Sequence, residues 1–270
     1  MNSAITFLGT GSAFPAASYH SCCIIDTAAD SVMIDAGGGY GIFDRLKAAG
    51  RCVTDIRRLH ITHSHTDHLL GAVWLLRMLI KLHIDGLEIT PVTVYANAET
   101  AHALLEICRL TLLKSYFDSL DKIAQVRIVR PGDSIRLDDA VMEFIDCRST
   151  GVHQTGIRLH LDGGLSIVHL GDEALTADNI AEAANADVLI CGAFCRYADR
   201  EIFRPYEKHH HTMLDVARLA RQANVGTLVT VHCEDRNPAV RARLYAEEAA
   251  RVFNGRVVVP LDGDRLDLIR

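Results

Sequence analysis

The chain of 270 residues is 49% hydrophobic and 23% charged, with no low-complexity block, which excludes a disordered polypeptide and permits a sizeable buried core. A net charge of −6 without a long Lys/Arg cluster excludes a basic nucleic-acid arm, and no apolar run reaches membrane-spanning length, so no membrane partner is expected. The eight cysteines lack CxxC pairing and read as buried free thiols; with no signal-like start, the expected location is the cytoplasm.

In chain order, apolar runs bounded by Gly and Asp predict strands at AITFLG, SCCIID, SVMIDAGG and RRLHITHS. From Thr66 to about Leu82 the apolar spacing becomes that of one helix face. A strand at PVTVYA precedes a predicted helix from about Ala98 to Tyr116, and QVRIVR, AVMEFIDC, GIRLHL and LSIVHL read as four further strands. The helices predicted at NIAEAANA, TMLDVARLARQA and AVRARLYAEEAARVF alternate with strands at ADVLIC, GTLVTV and GRVVVP. Two strand-rich halves with helices outside predict an α/β fold, a two-sheet sandwich flanked by helices. No Pro- or Ser-rich linker divides them, so a single domain over 1–270 is expected.

The stretch THSHTDHLLG, Thr62–Gly71, places three imidazoles and a carboxylate in six positions on a strand-to-helix loop. Strand alternation points His63 and His65 the same way, and the following turn swings Asp67 and His68 toward a neighbouring point. One loop can thus serve two metal ions, and its nitrogen and carboxylate donors suit zinc while also accepting manganese or iron. Further donors stand singly at predicted strand ends: His153 in TGVHQTGIRL, Asp172 in SIVHLGDEAL and His232 in GTLVTVHCED. Asp172, as a carboxylate, can bridge two ions.

With FLGTGS at 7–12, MIDAGGG at 33–39, HxHxDH at 63–68, VHQTG at 152–156, HLGD at 169–172, HHT at 210–212 and VH at 231–232, the chain resembles metallo-β-lactamase-fold hydrolases. Within that superfamily it is similar to ribonuclease Z and to the phosphodiesterase of the carbon-phosphorus lyase pathway. The resemblance spans nearly the whole chain and implies an αβ/βα four-layer sandwich. It implies one metal on His63, His65 and His153, a second on Asp67, His68 and His232, and Asp172 shared. Water held between two such cations becomes a nucleophile at neutral pH, and the ions neutralise charge on a phosphodiester oxygen. The resemblance also implies that Asp67 orients or deprotonates that water. It places His210, rather than His209 or His211, where ribonuclease Z has the histidine that assists the leaving oxygen. A polar loop ahead of a helix capped by Thr212 is the alternative reading of the triplet. Asp35 is expected either to hold a ligand imidazole in its tautomer or to stabilise the turn before Gly37.

The departures narrow the expectation. Ribonuclease Z pairs its catalytic histidine with a Glu, where this chain has Cys191-Gly192-Ala193-Phe194; its long arm for transfer RNA has no counterpart; and Tyr19-His20 replace an Arg-Asn pair. The expected function is therefore hydrolysis of a small or nucleotide-derived phosphodiester, with RNA not favoured. Hydrolysis of a lactone, carboxylic ester or amide, or ribonuclease Z-type cleavage, is the alternative, and a metal-dependent binding protein stands third. Relatives often form homodimers, so a homodimer is a possible assembly.

Overall fold

The structure, a computed structural model, describes residues 3–268. The chain begins with strands β1 (Ala4–Gly9), β2 (Cys22–Asp26) and β3 (Ser31–Ile34), then α1 (Ile42–Ala48), β4 (Arg58–Ile61) and α2 (Thr66–Ile84). Next come β5 (Val92–Ala96), α3 (Ala98–Thr111), the single-turn helices α4 (Lys114–Phe117) and α5 (Leu120–Ile123), and β6 (Ala124–Ile128). An antiparallel run follows, β7 (Ser134–Arg136), β8 (Ala140–Asp146), β9 (Thr155–Leu161) and β10 (Ser166–His169), leading into β11 (Val188–Gly192). The chain closes with α6 (Arg200–Phe203), α7 (Met213–Gln222), β12 (Thr227–Val231), α8 (Pro238–Ala249), β13 (Arg256–Val258) and β14 (Arg265–Asp267).

Backbone contacts group these elements into two compact units. The first takes the chain up to Gly9, Tyr19–Val129 and the segment from Asp262; the second takes Thr10–Ser18 and Arg130–Leu261. The first holds a seven-stranded mixed sheet in the order β14-β1-β2-β3-β4-β5-β6. Its β14 to β3 side is antiparallel, where short turns suffice, and its β3 to β6 side is parallel, where helices make the crossovers. The apolar stripe of α2, including Leu69, Leu76 and Ile80, packs with Leu59 and Ile61 of β4 and Val94 of β5 to form that unit's core.

The second unit repeats the plan in the order β13-β12-β11-β10-β9-β8-β7. Strands β10 to β13 are parallel and β7 to β10 antiparallel. Helix α7 is fixed at its start by a capping box, in which the Thr212 hydroxyl accepts from Asp215 N and the Asp215 carboxylate accepts from Thr212 N. Its buried residues Met213, Val216, Ala217 and Ala220 join Leu189, Leu228 and Tyr245 in the second core.

Each predicted strand is present, some trimmed by one to four residues, most at SVMIDAGG and RRLHITHS, which keep only Ser31–Ile34 and Arg58–Ile61 as strand. The helix predicted from Ala98 to Tyr116 breaks at Thr111, because Leu112 turns extended and buries its side chain, and a separate turn follows. At NIAEAANA only a short 3-10 turn, Ile180–Ala183, forms. The Asn179 side chain there accepts from Thr176 N and donates to the carbonyls of Cys147 and Ala174, and Asn185 adopts a left-handed conformation, so local polar bonds displace the helical ladder. Helix α1 and the three-residue strands β7 and β14 had no sequence prediction. Seven of the eight cysteines are buried, Cys52 is exposed, and none forms a disulfide. No described helix is long and apolar enough to cross a membrane.

Candidate metal centre

In the first unit the donors of THSHTDHLLG stand at the junction of β4 and α2. His65 is the residue before the helix, and its carbonyl accepts from the amides of His68 and Leu69. Asp67 therefore sits in the first helical turn, where the helix dipole favours a carboxylate. His63, Asp67 and His68 are buried and His65 is exposed. The loop is seated by Gly71, whose amide donates to the Gly37 carbonyl at 2.8 Å. A Cβ at Gly71 would lie 1.8 Å from the Ala36 carbonyl oxygen, so the helix reaches this depth only with glycine there.

The tautomers of two of these imidazoles follow from a buried hydrogen-bond chain. Asp35, with φ +56, aims its carboxylate at the motif: Oδ2 lies 2.7 Å from His68 Nδ1, and Oδ1 accepts from Thr62 N at 2.8 Å. The Thr62 hydroxyl lies 2.9 Å from Asp35 Oδ2 and 3.0 Å from His63 Nδ1. A carboxylate only accepts, so the single hydroxyl proton goes to Asp35 and His63 Nδ1 must donate to Thr62. Both His63 and His68 are thereby held protonated at Nδ1, leaving Nε2 with a lone pair. Burial opposes the charge on Asp35, but its interactions with His68 and His63 and the hydrogen bond from Thr62 N hold its carboxyl below the ordinary value.

The freed atoms converge. His63 Nε2 lies 2.9 Å from His65 Nδ1, and His68 Nε2 lies 3.3 Å from Asp67 Oδ2. The four donors thus form two adjacent pairs, each with the lone-pair chemistry of a divalent-metal site.

Tyr19 and His20 support the neighbouring segment that follows β3 and begins with Asp35. The Tyr19 hydroxyl bonds to the Ala36 and Gly39 carbonyls at 3.1 and 2.9 Å, and Gly38 N donates to His20 Nδ1 at 3.3 Å. They were noted in the sequence only as a departure from relatives. Thr62 lay inside the quoted stretch without a role, because only its contact with Asp35 reveals one.

In the second unit the candidate residues stand at the ends of different strands. Asp172 follows β10 and is buried; a Cβ at Gly192 would meet its carbonyl oxygen at 2.0 Å, so the end of β11 passes directly beneath it. His232 follows β12 with φ +55, and its Nε2 lies 3.6 Å from Asp172 Oδ2. His153 stands in the connection between β8 and β9 with an exposed side chain.

The three adjacent histidines have separate surroundings. His209 Nδ1 lies 2.9 Å from the Thr150 hydroxyl. His211 packs edge-on against Tyr206, and burial pushes its imidazole below the ordinary pKa. His210 stacks on Phe194 at 5.2 Å and lies 5.0 Å from the His232 ring. Phe194 thus offers His210 an aromatic face.

A cavity of about 480 Å³, lined entirely by residues of the second unit, opens beside His210 and His232. Phe194, Phe203, Lys208, Arg236 and the loop from Ser12 to Ala16 supply much of its wall. Asp235 anchors that loop, its carboxylate accepting from the amides of Ala16, Ala17 and Ser18 at 3.0, 2.7 and 2.8 Å. Burial works against the Asp235 charge, but these three amides and Arg241 hold its carboxyl below the ordinary value. Nothing in the sequence signalled Asp235.

Comparison with known proteins places this architecture. Ribonuclease Z of Aeropyrum pernix is 26% identical, with 98% of each chain covered. The metallo-β-lactamase-fold protein YhfI of Bacillus subtilis superimposes with a TM-score of 0.78 at 20% identity, covering 99% of this chain and all of the other. A diphosphatase of the PhnP family superimposes with a TM-score of 0.71 at 18% identity, covering 99% and 98%. The fold is that of the metallo-β-lactamases, as the sequence resemblance implied. The family described as Anti-Pycsar protein Apyc1, which the sequence reading did not name, matches residues 3–236. On that match, over most of its length, the chain belongs to the Anti-Pycsar protein Apyc1 family.

Proposed function

We propose that the chain is a metal-dependent phosphodiesterase acting on a small or nucleotide-derived phosphodiester, and that residues 1–270 work as one hydrolase domain. The observation that carries the reading is the Asp35–Thr62 hydrogen-bond chain, which leaves the Nε2 atoms of His63 and His68 as lone-pair donors beside His65 and Asp67. The ligand assignment is His63, His65 and His153 for one divalent ion and Asp67, His68 and His232 for a second, with Asp172 shared. Zinc is the first candidate for a set dominated by imidazole, with manganese or iron as alternatives. When bound, the ions supply a nucleophile at neutral pH and offset the charge of the phosphoryl oxygens.

The chain's own groups do the rest. Asp67, buried in the first turn of α2, accepts the proton that the attacking water loses. His210, stacked on Phe194 and lining the cavity beside His232, donates a proton to the leaving oxygen. The similarity to ribonuclease Z over 98% of the chain supports a phosphodiester as the bond cleaved and keeps RNA cleavage as the second reading. Free thiols without disulfides suit a reducing compartment such as the cytoplasm, and the resemblance to ribonuclease Z supports a homodimer.

The test is hydrolysis of bis(p-nitrophenyl) phosphate by protein loaded with zinc or manganese against chelated protein. Turnover should require metal. His65→Ala and Asp172→Ala should lose both metal content and turnover, whereas His210→Ala should keep the metals and lose turnover about 100-fold or more. Wild-type turnover in His210→Ala removes that residue from the reaction. A fully metallated protein that leaves diesters intact redirects the assignment to ester, lactone or amide hydrolysis or to metal-dependent binding, and cleavage of precursor transfer RNA in preference to small diesters favours the second reading.

A further inference from the structure

Phe14 is the most exposed large apolar side chain described, at 96%, and it lines the cavity beside His210 and His232. A single exposed apolar residue is ordinary. Here, however, the loop that presents it is pinned from two residues further on, where one carboxylate accepts from three successive amides, so the backbone that carries the ring is fixed at the cavity wall. Asp235 itself lines the same cavity.

Two further lining residues are also aromatic. Phe194 and Phe203 meet edge-on at 6.0 Å, and each carries a cation over its ring: Lys208 Nζ at 5.2 Å from Phe194 and the Arg236 guanidinium at 4.6 Å from Phe203. Lys208 and Arg236 offset the carboxylates of Glu234 and Asp235 in the same wall, and aromatic surfaces beside a pair of histidines complement a flat, apolar ring joined to a phosphate. A volume of about 480 Å³ accommodates such a group.

Resting on the phosphodiesterase reading, we propose that Phe14 determines specificity by stacking on a planar aromatic substituent of the diester, the one on the side that stays with the phosphate. Asp235 is its positioning residue. With the phosphate toward His210 and His232, the substituent lies among Phe14, Phe194 and Phe203, and the Phe14 ring loses its exposure only when that substituent is bound.

The test compares two diesters with the same leaving group, p-nitrophenyl phenyl phosphate and methyl p-nitrophenyl phosphate, as the ratio of their kcat/KM values on metal-loaded protein. Phe14→Ala should lower the phenyl-to-methyl ratio about tenfold, and Phe14→Trp should retain it. Asp235→Ala should lower the same ratio, with no further fall when combined with Phe14→Ala. Asp235→Asn, which keeps an acceptor oxygen, should fall between. An unchanged ratio in Phe14→Ala, with both diesters still hydrolysed, overturns the proposal and leaves the phosphodiesterase reading standing. If the wild-type protein hydrolyses neither diester, that reading fails, and calorimetric binding of phenyl phosphate against methyl phosphate decides the stacking role. A phenyl preference that disappears in Phe14→Ala supports it, and equal binding in both proteins overturns it.

Discussion

The two units supply candidate metal donors in opposite ways. In the first, His63, His65, Asp67 and His68 come from one six-residue stretch, and Asp35 and Thr62 fix the ring orientations of two of them. In the second, Asp172 and His232 follow different strands, and His153 stands exposed between two more. Local sequence can set a cluster when one turn carries every donor; otherwise the strand order of a sheet must do so. Both units nevertheless use a glycine to bring backbone close beneath a site loop, Gly71 under Ala36 and Gly192 under Asp172.

The glycines give the strongest way to break this parallel. Gly71→Ala and Gly192→Ala each drive a methyl into a carbonyl oxygen and should each cost about 3 kcal/mol in urea unfolding. Gly163→Ala, with nothing within 4 Å of the added carbon, is the control and should change stability little. A mild Gly71 variant would show that the first loop is less tightly seated than the second.

Preorganisation is next in size. Asp35→Ala should weaken metal binding about 10- to 100-fold while metal content remains recoverable at high concentration, as competition with a chromogenic chelator would report. Thr62→Val removes one link of the same chain and should have a smaller effect. Equal affinities in wild type and Asp35→Ala would mean that the first unit's donors are no better oriented than the second's.

The smallest effect sharpens the contrast between two buried carboxylates, Asp35 held by an imidazole, a hydroxyl and one amide and Asp235 held by three amides. The Asp235 carboxyl is lowered in the folded protein, so its contribution is complete above the unfolded value near pH 4 and is lost as pH falls through the folded one. Asp235→Asn should therefore be less stable by about 1 to 2 kcal/mol at pH 7, with the gap narrowing toward pH 3. A gap independent of pH would assign the loop's anchoring to geometry alone.

The same contrast explains what could be read in advance. THSHTDHLLG declared its chemistry because its donors are contiguous and periodic, and the strands were legible because runs such as VLIC and TLVTV are apolar and β-branched. Asp35 was assigned two roles because a carboxylate before glycines also suits a turn; only its 2.7 Å approach to His68 favours the tautomer-holding one. Asp235 gives no signal and Phe194 only that of a segment without a Glu, since their meaning lies in partners elsewhere in the chain, Ala16 and His210. The short turn at NIAEAANA was misread as helix because alanine spacing reports intrinsic propensity but not the side-chain bonds of Asn179.

The seclusion of seven thiols has a practical consequence. A maleimide dye applied to the folded protein meets Cys52 as its single open target, in the link between α1 and β4 and outside the ligand loop. The native sequence thus offers one attachment point for a fluorescent reporter in the first unit, with no cysteine removed by mutation, and appearance of further labelled sites would time the unfolding of either core.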